Sequence, residues 1–178
     1  MSNIVILQGS PRRHGNTARL VQAFTDGLAA EHKVTIINVS ELKINYCVGC
    51  NSCFTRDGNR CFQEDDMRKI LPALSEADVM VFASPVYFYG ISAQLKTLLD
   101  RLHTPLRNTF KVKRTALLLV GAASLPELFD SILFQYRMLL SFFHLDDAGR
   151  VLVRGVKNIG DIEGRPELQA AKELGRMI

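Results

Sequence analysis

Asn3-Ile-Val-Ile-Leu-Gln-Gly-Ser-Pro-Arg-Arg-His-Gly-Asn-Thr17 joins three different signals in one short run near the start of the chain. Ile4 to Leu7 is an apolar run short enough to be a buried strand. A polar turn with Gly9, Ser10, Pro11, two arginines and Gly15 follows it, and helical spacing of Leu20, Val21, Phe24 and Leu28 begins at once. A strand, a hydroxyl-bearing loop and a helix N-terminus bring free backbone N–H groups and the positive end of a helix dipole to one place. Ser10, Asn16 and Thr17 add side-chain donors, and Arg12 or Arg13 can add charge. A phosphate group is therefore expected here. A simple helix cap at Asn16 or Thr17 would account for one polar residue, but not for a run of donors followed by a helix. The loop matches neither the Walker pattern nor the Gly-x-Gly-x-x-Gly fingerprint.

Outward from this segment the same alternation repeats. Lys33 to Val39 is rich in β-branched residues and predicts a second strand. Residues 40–62 form a long insertion, after which acids at Glu64 to Asp66 open a helix with an apolar face of Met67, Ile70, Leu71 and Leu74. Asp78 to Ala83 is apolar on both faces, as a central parallel strand covered by helices should be. Further strands are expected at Arg114 to Val120 and Gly149 to Gly155, and helices at Ile91 to Leu102, Pro126 to Leu145 and Arg165 to Ile178. The pattern predicts one domain over 1–178, a doubly wound α/β fold with a five-stranded parallel sheet in the flavodoxin-like order 2-1-3-4-5. Ligands of such sheets bind beyond the carboxyl ends of the strands, which would gather the loops at 8–17, 84–90 and 121–125.

With 178 residues, 47% hydrophobic and 22% charged, the chain has globular proportions. A net charge of +4 without dense basic runs gives no support for nucleic-acid binding. The longest apolar stretches, Thr115 to Ser124 and Leu139 to Phe143, are too short to span a bilayer, and no signal-like segment opens the chain. A cytoplasmic location is expected. No Ser/His/Asp arrangement is evident, and His14, His32, His103 and His144 have no catalytic spacing, so hydrolysis is poorly supported and no catalytic side chain is assigned.

Ser84-Pro-Val-Tyr-Phe-Tyr-Gly90 offers backbone donors, three adjacent aromatics and a glycine, the mixture that a planar, partly polar ring system needs. The alternative is a strand-ending turn whose aromatics pack on the next helix. Together with the first loop and Ile91-Ser-Ala-Gln-Leu-Lys-Thr-Leu-Leu-Asp-Arg101, this segment resembles the NADPH-dependent FMN reductase family of the flavodoxin superfamily. The resemblance runs through nearly the whole chain in motif order. It implies FMN, with Ser10, Arg12, Asn16 and Thr17 around the phosphate and Pro85, Val86, Tyr87 and Phe88 along the ring. It further implies contacts from Gly121 and Ser124, although Gly121-Ala-Ala-Ser-Leu is poorer in glycine than the family's usual loop. The implied function is an oxidoreductase passing electrons from NAD(P)H or another donor to a quinone, a small acceptor or a protein. A non-catalytic electron carrier is the alternative.

The four cysteines fall at Cys47, Cys50, Cys53 and Cys61, all inside the insertion. Four thiolates at that spacing can wrap one ion or cluster. The arrangement resembles the iron–sulfur flavoprotein branch of the same superfamily, which implies a 4Fe-4S cluster. Zinc, a redox disulfide and metal-free thiols stand beside that reading. Finally, the helix from Pro126 is apolar nearly all round, with Phe134, Met138 and Phe142 among its residues. Such a helix is expected between its own sheet and a second subunit, giving a homodimer or a larger homo-oligomer.

Overall fold

The computed structural model describes residues 1–178. Its first strand, β1 (Asn3–Gln8), lies inside the sheet, with Ile4, Val5, Ile6 and Leu7 all buried. A strand covered on both faces must place every residue in apolar surroundings, and this one does so with β-branched and leucine side chains. After β1 come α1 (Asn16–Thr25), β2 (Lys33–Asn38), a short α2 (Ser52–Thr55) and α3 (Met67–Glu76). Then follow β3 (Val79–Tyr87), β4 (Gly90–Ile91), α4 (Ala93–Arg101), β5 (Arg114–Val120), α5 (Asp130–Phe143), β6 (Asp146–Val153) and α6 (Pro166–Arg176).

Five strands are parallel in the order β2-β1-β3-β5-β6, and β4 pairs antiparallel with the end of β3. Without β4 this is the expected 2-1-3-4-5 order; the sheet has six strands rather than five because the loop at 84–90 is a hairpin. The strands' alternate residues divide the interior in two. Val5, Leu7, Met80, Phe82, Leu117 and Leu119 meet α3, α4 and α5 on one face. Ile4, Ile6, Val79, Val81, Leu118 and Val120 meet α1 and α6 on the other. The helical faces anticipated from spacing are the buried ones: Leu20, Val21 and Phe24 in α1, and Met67, Ile70 and Leu74 in α3.

Boundaries moved where local hydrogen bonding competed with periodicity. β3 continues through Ser84 to Tyr87 because Val86 and Tyr87 find partners in Ile91 and Gly90. The helix expected from Pro126 begins as a 3-10 turn, Pro126–Phe129, before α5 proper. β6 starts at Asp146, ahead of Gly149, with an irregularity opposite Thr115 and Ala116. Tyr136 of α5 is anchored beneath the sheet, its hydroxyl 2.7 Å from Thr115 Oγ1 and 3.2 Å from Asp147 Oδ1. No helix is long and apolar enough to cross a membrane.

α1 and α6 cross at backbone contact. A Cβ on Gly175 would lie 2.2 Å from Phe24 O, and one on Gly27 would lie 2.0 Å from Lys172 O. Helix propensity alone predicts that Gly175→Ala stabilises α6 by about 1 kcal/mol. The contact predicts the opposite sign, a loss of about 1–3 kcal/mol from overpacking. A urea midpoint below that of the unaltered chain is expected, and a higher one would show that the two helices separate freely.

Candidate functional site

The carboxyl end of β1 turns at Gly9, whose N–H donates to Ala83 O at 2.8 Å, so the first loop leaves the sheet beside the end of β3. Within the loop Arg12 N–H donates to Ser10 Oγ at 3.2 Å, and the Ser40 hydroxyl donates to Ser10 O at 3.1 Å. Ser10, Asn16 and Thr17 are buried. α1 starts at Asn16 behind an N-cap glycine, Gly15, with no side-chain cap. Its first-turn N–H groups therefore have no capping partner, the condition under which a helix N-terminus accepts an anion. A side chain at Gly15 would sit 2.9 Å from Arg12 Cβ and close this approach.

The four expected phosphate contacts separate into two pairs. Ser10 stays within its own loop, its hydroxyl accepting from Arg12 N–H, and Thr17 sits in the first turn of α1. Asn16 and Arg12 turn toward the loop between β6 and α6. Asn16 Nδ2 donates to Asn158 O at 2.8 Å, Gly160 N–H donates to Asn16 Oδ1 at 3.2 Å, and Arg12 Nη1 donates to Lys157 O at 3.0 Å. Asp161 holds that second loop in shape by accepting from Lys157 N and Asn158 N at 2.9 and 2.7 Å. Those N–H groups also keep the Asp161 carboxyl below the usual carboxylate range. This buttress was not anticipated. The only local signal for it is the Asn158-to-Asp161 run of turn-forming residues.

The segment at 84–90 is a two-residue hairpin. Phe88 and Tyr89 occupy its turn with φ of 48° and 63°. Two left-handed residues match the twist of a tight hairpin, but Asn-Gly is the usual solution and bulky side chains are strained there. Ser84 and Ser92 lock its base: Ser92 N–H donates to Ser84 Oγ at 2.9 Å, and Ser92 Oγ accepts from Leu95 N at 3.3 Å, capping α4. The Ser131 hydroxyl of α5 donates to Tyr89 O and braces the tip. Pro85 and Val86 are half-buried, while Phe88 is 99% exposed. Phe88 thus does not pack on the following helix, as an aromatic of a mere strand-ending turn would.

The third loop is held from β6. Gly121 N–H donates to Val153 O at 2.8 Å, Val156 N–H to Gly121 O at 3.1 Å, and Gly155 N–H to Ala123 O at 3.1 Å. Arg154 donates to Leu125 O and Pro126 O at 3.0 and 2.7 Å while lying 4.7 Å over the Phe129 ring. A Cβ at Gly9 would fall 2.6 Å from Ser92 Oγ, and one at Gly121 would fall 3.5 Å from Val86 Cγ2. The three loops accordingly converge at the carboxyl ends of β1, β3 and β5, where the strand order reverses.

The cysteine segment lies between β2 and α3. Cys47 and Cys50 are exposed, Cys53 and Cys61 half-buried, and all four are free thiols. No three His, Cys, Asp or Glu side chains are gathered where one metal ion could hold them. Gly49, Asn51, Gly58 and Asn59 all have positive φ, so the backbone turns tightly within the segment. The hydroxyl and N–H of Ser52 favour the Cys50 thiolate, with Sγ 3.3 Å from Ser52 Oγ, and lower its pKa. Four accessible soft donors in a tightly turned segment suit a thiolate-held metal or cluster in chemistry, although the sulfurs stand apart in this structure.

The NADPH-dependent FMN reductase family matches residues 2–150. The chain belongs to that family. An iron–sulfur flavoprotein of Methanocaldococcus jannaschii is 40% identical over 111 residues, 62% of this chain and 56% of that one. A putative NAD(P)H-dependent FMN-containing oxidoreductase of Bacillus subtilis is 26% identical and aligns over 96% of this chain and 95% of that one. The chain spans about half the length of the first iron–sulfur flavoproteins that it matches, at 56% and 42%. An NAD(P)H:quinone oxidoreductase from Methanothermobacter marburgensis superposes with a TM-score of 0.79 at 18% identity, covering 98% of both chains, which establishes the shared flavodoxin-like fold. In this member of the FMN reductase family, the hairpin tip carries the clearest local strain. Replacing Phe88-Tyr89 by Asn-Gly is expected to stabilise the fold by about 1–2 kcal/mol. A lower thermal midpoint for that double replacement would show that the aromatics hold the hairpin in place.

Proposed function

We propose that this FMN reductase family member is an FMN-dependent oxidoreductase, which takes electrons from NAD(P)H or another donor and delivers them to a quinone, a small acceptor or a protein. The observation that carries this reading is the meeting of an uncapped α1 N-terminus with two further strand-end loops at the switch point of the sheet. Ser10, Thr17 and the first-turn N–H groups of α1 would hold the phosphate. Arg12 and Asn16 would act from behind, fixing the loop through Lys157, Asn158 and Gly160. Pro85, Val86, Tyr87 and Phe88 would line the ring, with Gly121 and Ser124 on its far side. The flavin, when bound, supplies the hydride and electron chemistry, and no side chain needs to act as acid or base. The residues orient it, exclude water from one face and leave the other open for a donor or acceptor.

The same reading places the protein in the cytoplasm as one domain over 1–178. It assigns Cys47, Cys50, Cys53 and Cys61 to a thiolate-held metal, an iron–sulfur cluster being the form named for several relatives. That naming also favours a second reading, a non-catalytic electron carrier using flavin and cluster. The exposed side of α5 supports association into a homodimer or larger homo-oligomer. Phe134, Met138 and Phe142 are 57%, 56% and 48% exposed and recur every fourth residue along one side of it. They border an apolar groove of about 500 Å³ between α4 and α5, with Leu95 and Leu99 on the opposite wall. A contiguous apolar stripe of this kind marks a contact surface.

Three measurements test these statements. Thr17→Val removes one hydrogen bond to a charged group, worth about 1.5–3 kcal/mol, so FMN should bind about 10- to 100-fold more weakly. Riboflavin, which has no phosphate, should bind as before; equal losses for both flavins would place the phosphate elsewhere. In stopped flow, the FMN-loaded protein should be bleached by NADPH or NADH, and reduction by neither would favour the carrier. Sedimentation should give at least twice the chain mass for the unaltered protein and the monomer mass for Phe134→Glu, and a monomer in both would remove the assembly.

A further inference from the structure

Arg101 ends α4 and is buried with its charge, its side chain 4% exposed and that of its partner Asp65 3% exposed. Nη1 donates to Asp65 Oδ2 at 2.5 Å and to Asn45 O at 2.8 Å, and Nη2 donates to Asp65 Oδ1 at 3.3 Å. Asp65 also accepts from Asn45 N at 3.0 Å and from Met67 N at 3.1 Å, the latter at the start of α3. Asn45 lies just before the first cysteine and Asp65 just after the last. One guanidinium therefore ties both ends of the cysteine segment to each other and to α4.

The closure is doubled on either side. Lys43 N–H donates to Asp66 Oδ2 at 2.7 Å, Asp66 N–H returns to Lys43 O at 3.1 Å, and Gln63 Nε2 reaches Tyr46 O at 3.0 Å. Beyond the neck the loop is seated on residues following α4: the Thr104 hydroxyl donates to Asn59 O at 3.2 Å, and the Phe54 and His103 rings lie 5.6 Å apart. The other end of α4 begins at Ser92, locked to Ser84 in the hairpin. A single short helix thus carries the hairpin at one end and the cysteine loop at the other.

A buried ion pair is weak evidence for stability, since an apolar pair of similar volume often serves as well or better. The feature an apolar pair would lack is the geometry: a planar fork reaching a carboxylate and a carbonyl from different parts of the chain at once. We propose that Arg101 is the positioning residue of the cysteine segment, closing residues 46–64 into a loop on the end of α4 so that a metal can draw its four thiols into one chelating unit. A loop whose ends are already joined gives up less conformational freedom when a metal draws its sulfurs together, and so binds more tightly. The inference rests on the thiolate-ligand reading of the segment and is independent of flavin binding.

The test is an anaerobic titration with cobalt(II) alone, followed by thiolate-to-cobalt charge-transfer absorption, with FMN affinity and the thermal midpoint measured on the same samples. Arg101→Met combined with Asp65→Leu removes the clasp without stranding a buried charge. This double variant should bind cobalt at least about 10-fold more weakly, with FMN affinity unchanged. Arg101→Lys, which cannot span Asp65 and Asn45 together, should fall between the two and carries the test if the double variant fails to fold. Equal cobalt affinity in all three proteins, absence of a thiolate–cobalt band in the unaltered chain, or parallel losses of cobalt and FMN would each overturn the proposal. Normal cobalt binding without FMN binding would instead sink the oxidoreductase reading and leave the role of Arg101 standing.

Discussion

The parallel pairing of β1 with β3 is the constraint on which the rest of the molecule depends. Both strands are covered on two faces, so their backbone groups must pair with each other and their side chains must be apolar in both directions. The chain crosses from β1 out to β2 and then back past β1 to β3, so the winding reverses between β1 and β3 and a crevice opens there. Gly9 donating to Ala83 O continues the pairing one step past the strand, so the first loop and the hairpin leave the sheet side by side. Every proposed contact with a cofactor is made from loops that this divergence places together.

Polar groups inside this frame are few, and each fixes a loop. Gln8 donates to Asn38 Oδ1 at 2.9 Å, joining the ends of β1 and β2. Ser84 and Ser92 join the hairpin to α4, Asn16 joins the first loop to Asn158 and Gly160, and Arg101 joins the cysteine segment to α4. No buried side-chain nitrogen or oxygen lacks a partner. Because an unpaired buried group costs about 1–3 kcal/mol, each partnership also excludes alternative loop positions. Burial likewise drives the Asp65 carboxyl up, yet the Arg101 guanidinium and the N–H groups of Asn45 and Met67 outweigh it and leave the group ionised below the usual range.

Much of the fold was legible because apolar patterning and packing agree. Ile4 to Leu7, Val79 to Ala83 and Thr115 to Val120 announce buried parallel strands by lacking any polar alternation, and the helices announce themselves by spacing. The hairpin was not legible. Phe88 and Tyr89 have no preference for left-handed backbone; the pairing of Val86 and Tyr87 with Ile91 and Gly90 and the brace from Ser131 hold them there. The split among the expected phosphate contacts was hidden for a different reason: Asn16 and its partners Asn158 and Gly160 are 142 and 144 residues apart. No local pattern distinguishes an amide aimed at a ligand from one aimed at a distant loop.

The sequence by itself determined the family, the order of the strands and the places where an anion and four soft sulfur donors could be offered, because these depend on residue types and short spacings. Only the tertiary structure decided which donors remain free. It paired Arg12 and Asn16 with Lys157 and Asn158, left Ser10 and Thr17 at the uncapped N-terminus of α1, and pushed Phe88 into solvent. It also gave Arg101, an unremarked end-of-helix charge in the sequence, a place inside the neck of the cysteine loop. For the polar residues the physical reason is shared: a hydrogen-bonding side chain has a fixed number of partners, and long-range packing determines whether they come from the protein or are left for something it binds.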